Sequence, residues 1–413
     1  MASAAPTFPP DFIPTRHGAR RDDARAALGL VRLAIRGEPE PSRALWRDIG
    51  LALMQGDPPA DRLVAWMQAN GLARQRERFE QALEHGIETV KDAPGPLRDF
   101  FALVDTRPPW VSERLLREAL PIIHRGGIDY FYVGRDLALM GGYQASAFNK
   151  TLLITGALQK GPTRRVAETS TWWRDCTTDG GLERFGVGFK ATVRVRFIHA
   201  LVRSAVQRLP EWNTRDWGLP VNQTDMAATA LAFPMIMLVA GRLLGVPVSS
   251  REVETAMHLG RYVGHLMGVE PRWLPWDEQE GLTLLYRLSL SITNADATSV
   301  QLGQALMDEP LSRHYAFLGG LRGPLERQRH LSLSRFFLGK QGLKNLGLPT
   351  STLPWYPLLR VPVNLGRHLA ARLVPGGRAR LEAKGKAQIR AVLAQMSGAH
   401  EAKVGEAAQH LAR

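Results

Sequence analysis

The stretch VRVRFIHALVR, residues 193–203, sets one histidine among three arginines. Wound as a helix, it places His199 on one face with Val195, Arg196, Val202, Arg203 and Val206. A neutral imidazole among apolar side chains, with a guanidinium a turn to either side, suits a particular ligand. That ligand is flat and apolar, its metal takes histidine, and its carboxylates pair with arginine: a haem. The same spacing also suits a core histidine whose neighbouring arginines bond to carboxylates or to helix ends.

Upstream, GPTRRVAETSTWW would bring Arg165, Glu168 and Thr169 to one helical face, because positions three and four apart are neighbours. A cation, an acid and a hydroxyl converging there could polarise a bound oxygen or move a proton. An Arg–Glu pair beside a threonine bonded to its own helix is the plainer alternative. Downstream, Asn222 followed by Asp225 has the pattern of a helix start. His258 and His265 stand two helical turns, about 10 Å, apart, too far to chelate one metal. There is no dinucleotide fingerprint, phosphate loop, Gly-x-Ser-x-Gly elbow, His-Glu-x-x-His or Cys-x-x-Cys-His, so a haem here would be held without covalent attachment.

The elements that must position these residues read as helices throughout. PPADRLVAWMQANG opens with prolines and closes on Asn-Gly, and PPWVSERLLREALPIIHRGG offers Ser112 as an N-cap. Alternating Val/Ile/Thr runs are absent, so the fold is expected to be all-α. The longest apolar stretch, Met226 to Gly241, falls short of a membrane span and carries Pro234, which predicts a kinked core helix. Composition divides the chain into a helical N-terminal extension over 1–95, a main domain over 96–345, and a basic C-terminal helical segment over 346–413 packing on that domain. Between Arg360 and Arg390 that last segment holds eight cations against Glu382 alone, which would suit peripheral contact with an anionic membrane.

The formal charge of +14 on 413 residues calls for an anionic partner or surface, but no aromatic-interleaved basic motif points to nucleic acid. One cysteine, Cys176, excludes an internal disulfide and a thiolate zinc site. The N-terminal MASAAPTFPPDFIPTRHGARRDD has no apolar core for a secretory signal and reads as a flexible lead-in, so the expected location is cytoplasmic.

In order along the chain, Trp110 after RPP, RRVAET, VRVRFIHALVR, WGLPVNQTDMAATALAF, RLLGVPVS and RYVGHLMGV resemble the domain shared by latex clearing proteins (rubber oxygenases) and MpaB-type oxygenases. The resemblance covers roughly residues 100 to 300. It implies a globin-like helical core around one haem b, with His199 as the iron ligand and Arg165 and Thr169 on the opposite side. Arg196 and Arg203 become candidates for the haem propionates or their supporting network. It also implies O2 as co-substrate, an apolar alkene substrate, isoprenoid in class, and an electron donor that the sequence does not name. Where latex clearing proteins carry a lysine that caps the iron, this chain has Glu168, a departure that removes the capped state and argues against rubber itself. The stretch YQASAFNKTLL offers Asn149 where the rubber-cleaving branch carries a carboxylate base. A haem-binding sensor or carrier without oxygenase turnover is the competing function, and an apolar-ligand module without haem is the third.

Overall fold

Helix starts fall where the sequence marks them. Ser112 caps Glu113–His124, and the side chain of Asn222 accepts the Asp225 N–H at 3.0 Å to open the next apolar helix. Pro58 stands at the first turn of Pro58–Ala69, where its missing N–H costs nothing. Ser249 and Glu252 close a capping box on Ser250–Leu266. The computed structural model describes residues 8–156 and 161–398. The first seven residues of the expected lead-in and residues 399–413 of the basic segment lie outside the described residues. Among the described residues every regular element is a helix, and the fold is all-α.

The helix Val187–Val206 lies at the centre. It buries residues around most of its circumference and packs against Pro162–Cys176, Pro58–Ala69 and Ser250–Leu266. The apolar stretch is indeed kinked: Phe233 leaves helical geometry at φ −125°, ψ 116°, one residue before Pro234. It is longer than the sequence suggested. Gln223–Leu244 is long and apolar enough to cross a membrane, yet half of its most apolar window is buried inside the protein.

One apolar cluster runs from Ala24 to Leu290, and a second joins Phe131 and Tyr132 to Val392 and Met396 near the C-terminus. The N-terminal helices are wedged into the body by polar contacts. Arg16 pairs with Asp225 at 2.7 Å, and Thr224 donates to the Ile49 carbonyl at 2.8 Å.

The final helices, Trp355–Leu373 and Gly377–Ser397, pack on the body. At Gly385 the last helix crosses so close to the His124 carbonyl that no side chain would fit. Two of the eight expected surface cations are withdrawn from solvent here. Arg360 forks onto buried Asp129 at 2.7 and 3.0 Å, and Arg367 reaches the same carboxylate at 3.3 Å.

Candidate functional site

The site is built by two helices that run antiparallel, Pro162–Cys176 and Val187–Val206. Their register is fixed at one end. A Cβ on Gly188 would lie 2.5 Å from the Cα of Cys176, so the backbones touch there. Trp172 Nε1 donates to Thr192 Oγ1 at 3.0 Å, and Cys176 Sγ lies 3.3 Å from the same oxygen. Stepping one turn further along each helix brings Glu168 level with Arg196, and the next turn brings Arg165 level with His199. Arg165, Glu168, Trp172 and Cys176 share one helix face, as do Gly188, Thr192 and His199 on the other.

Burial changes along this pairing. Cys176, Thr192 and Val193 are buried, whereas Arg165, Glu168, Val195 and His199 are only partly covered and Thr169 is exposed. The pair is thus closest at Gly188 and least covered two turns away, and this less covered end is termed the wedge. Phe233 closes one side, its ring 5.5 Å from Trp172 and 5.1 Å from Trp173. On another, Phe148 and Tyr143 lie under Arg165 at 5.8 and 6.0 Å.

Within the wedge, His199 Nδ1 is buried with no hydrogen-bond partner among the described residues, and no bond to Nε2 is made there either. Burial, reinforced by the positive charge of Arg203 and only partly opposed by Asp57, lowers its pKa to about 4. The ring is therefore neutral at pH 7, with a lone pair available. A buried ring nitrogen with no partner costs roughly 1–3 kcal/mol unless something outside the chain uses the imidazole. Among the described residues no three His, Cys, Asp or Glu side chains gather as a metal site. A lone histidine fits a metal that brings its other ligands with it, as haem iron does.

Arg165 and Glu168 stand on the neighbouring helix at this less covered end. Arg165 Nη1 is buried without a partner, which leaves a donor for an anion or an oxygen ligand. Glu168 lies 3.4 Å from Arg164 Nε, so the ion pair on this helix is with Arg164, the neighbour of the arginine expected from spacing.

Arg196 and Arg203 are placed differently from a propionate pair. Arg196 forks onto Asp57 at 2.6 and 2.8 Å, both side chains buried. Arg203 binds Asp61 at 2.9 Å and the Val221 carbonyl, keeping one buried Nη2 without a partner. Both guanidiniums thus tie the His199 helix to the start of Pro58–Ala69. Asp57 and Asp61 were invisible as partners in the sequence, which places them more than a hundred residues away. The only local signal was that arginines on a buried helix must find acids somewhere.

The remaining sequence candidates have structural places. His258 Nε2 accepts the Ser112 N–H at 2.9 Å, supporting that helix start. Both His258 and His265 stand edge-to-face against Trp110, at 5.7 and 6.2 Å. Asn149 is buried and donates to the Tyr143 carbonyl, which anchors the segment beneath Arg165. Cys176 is buried and its thiol is pushed up to about 12, so it stays protonated.

Comparison with known proteins bears on this arrangement. The family model described as ER-bound oxygenase mpaB/B'/Rubber oxygenase, catalytic domain, matches residues 131–372. That match extends past the boundary expected at 345 and takes in most of the helix Trp355–Leu373. The rubber oxygenase of Streptomyces sp. (strain K30) is 26% identical over 217 residues, 50% of this chain and 50% of the relative. The chain thus spans about half the length of the curated relative it matches. A solved structure of a latex clearing protein in its closed state superposes with a TM-score of 0.63 at 20% identity, over 82% of this chain and 91% of the other. At that identity the likeness speaks for the fold.

Proposed function

Since the chain belongs to the family of MpaB-type and rubber oxygenase catalytic domains, we propose that it is a haem b-dependent oxygenase acting on carbon–carbon double bonds of an apolar, isoprenoid-class substrate. The observation that carries this reading is His199: neutral, set in a wedge between two helices, with a buried ring nitrogen that nothing in the described chain satisfies. His199 would hold the iron from one wall, with Arg165 and Glu168 on the wall opposite, while Thr169 on the same helix is exposed to solvent. When bound, the haem supplies the metal at which O2 is activated.

The chain's own groups divide the remaining work. Arg165 offers the unpartnered Nη1 hydrogens to an oxygen or to developing negative charge. Glu168 holds or releases a proton at its carboxylate, with Arg164 beside it to stabilise the ionised form. Phe233 beside Trp172 and Phe148 beside Arg165 would offer apolar surface to an alkene. Arg196 and Arg203 act through position, fixing the His199 helix against Asp57 and Asp61.

The test is to load the protein with haem, supply O2 and a polyunsaturated isoprenoid such as squalene, and trap carbonyl products as hydrazones for mass spectrometry. Carbonyl fragments from wild type, absent with Glu168→Gln or His199→Ala, are expected. A haem-loaded protein that binds O2 or CO reversibly and yields no carbonyl from any alkene would instead be a sensor or carrier.

A further inference from the structure

The helix Trp355–Leu373 is amphipathic the wrong way round for a solvated surface helix. Its polar and charged residues turn inward: Asn364 donates to the Leu244 carbonyl at 2.8 Å, His368 is buried, and Arg360 and Arg367 clasp Asp129. Outward it shows Leu358, Leu359, Val363, Leu365, Leu369 and Leu373, each between 42% and 84% exposed. Every exposed position from Leu358 to Leu373 is apolar except Arg372 at the end. At 100° per residue these positions form one continuous half of the helix surface. Monomeric proteins seldom leave so large an apolar patch bare. Leu243, 54% exposed, continues it from the adjoining helix, where Gly245 packs against the Val361 backbone.

We propose that this face is a membrane-docking surface, lying in the plane of an anionic lipid bilayer with its leucines among the acyl chains. Charge identifies the occupant. Arg372 is exposed at the C-terminal end of the stripe, and Arg378, Arg380 and Lys384 are exposed on the helix that follows, with Glu382 as the one acid among them. An anionic headgroup layer neutralises such a cluster, and acyl chains take the leucines. A second copy of this face would offer the leucines a partner but no acid-rich surface to neutralise the cations. The inward polar grip holds the helix rigidly, so the leucine face is presented without folding on contact. The docked helix also bonds to Leu244, at the end of the apolar segment whose Phe233 walls the wedge. A lipid-soluble molecule in the bilayer would be delivered near that segment. The inference does not rest on the haem reading and stands if the wedge binds something else.

The test is co-sedimentation of the full chain with vesicles of equal parts phosphatidylcholine and phosphatidylglycerol, and with phosphatidylcholine alone. Two variants accompany wild type: Leu358→Asn/Leu365→Asn/Leu369→Asn, and Arg372→Glu/Arg378→Glu/Lys384→Glu. All six positions are exposed, and circular dichroism with urea unfolding verifies that both variants are folded. Wild type should bind the anionic vesicles, and each triple variant should bind them at least about tenfold more weakly. Wild type left in the supernatant with both vesicles would overturn the proposal, as would leucine-variant binding equal to wild type. A concentration-dependent dimer in sedimentation velocity, dissolved by the leucine variant and without vesicle binding, would assign the face to a second copy instead.

Discussion

Replacing Asp57 by Ala should be among the most damaging single changes in the protein. The Arg196–Asp57 pair is bidentate, at 2.6 and 2.8 Å, and the two side chains are 5% and 3% exposed. Gly268 covers it so closely that a Cβ there would lie 2.7 Å from Arg196 Nε. Without the carboxylate the guanidinium is left against the face of Phe100, 5.4 Å from its centre, worth about 1 kcal/mol. An unpaired buried charge of this kind costs roughly 3–5 kcal/mol, while removing both charges together is near neutral. Urea unfolding of Asp57→Ala, Arg196→Met and the double variant forms the cycle. Each single variant should lose about 3 kcal/mol or more, and the double far less than their sum. A loss below about 1 kcal/mol for Asp57→Ala, or additive losses, would refute the claim that the pair is dry and that its worth lies in mutual compensation.

Other consequences follow from the same geometry. Gly188→Ala would press a methyl group onto the Cys176 backbone at 2.5 Å, forcing the two site helices apart; thermal unfolding should show a loss of about 1–3 kcal/mol. Asn222→Ala removes the cap that accepts the Asp225 N–H and donates to the Leu219 carbonyl, and should cost about 1–2 kcal/mol by urea unfolding. Glu252 is held at a pKa of about 2: burial pushes it up, but the hydrogen bonds from Arg125 and the Ser249 amide outweigh that. Because its folded pKa lies below the ordinary 4.5, its stabilisation is complete above that pH and is lost as pH falls toward 2. With the side chain about a quarter exposed, that contribution is about 2 kcal/mol. Glu252→Gln should remove the corresponding slope from a plot of unfolding free energy against pH.

What the sequence disclosed is local, and what it withheld is distant. The caps at Ser112 and Asn222, the kink before Pro234 and the shared face of Arg165 and Glu168 all depend on neighbours within a turn or two, so spacing alone located them. The partners of Arg196 and Arg203 are carboxylates on a helix far upstream, and no periodicity points to Asp57 or Asp61. Spacing favoured Arg165 as the partner of Glu168, yet Arg164 takes that place and Arg165 turns to aromatic rings. The segment from Arg360 onward read as basic surface. Which way an amphipathic helix faces depends on what it meets, and buried Asp129 draws Arg360 and Arg367 inward. The leucines are left outside as a result. The polar composition of the N-terminal extension likewise gave no sign of where it attaches, and its contacts with Thr224 and Asp225 are long-range.

The proposed oxygenase function requires His199 to carry a haem. The most direct measurement is the ultraviolet–visible spectrum of wild type beside His199→Ala, as isolated, after haem addition and after reduction with dithionite. A haem held by His199 gives a strong Soret band in wild type, a pyridine haemochrome of haem b, and loss or displacement of the band in the variant. A wild type that stays without a Soret band after haem addition, or a variant with an identical spectrum, would contradict it.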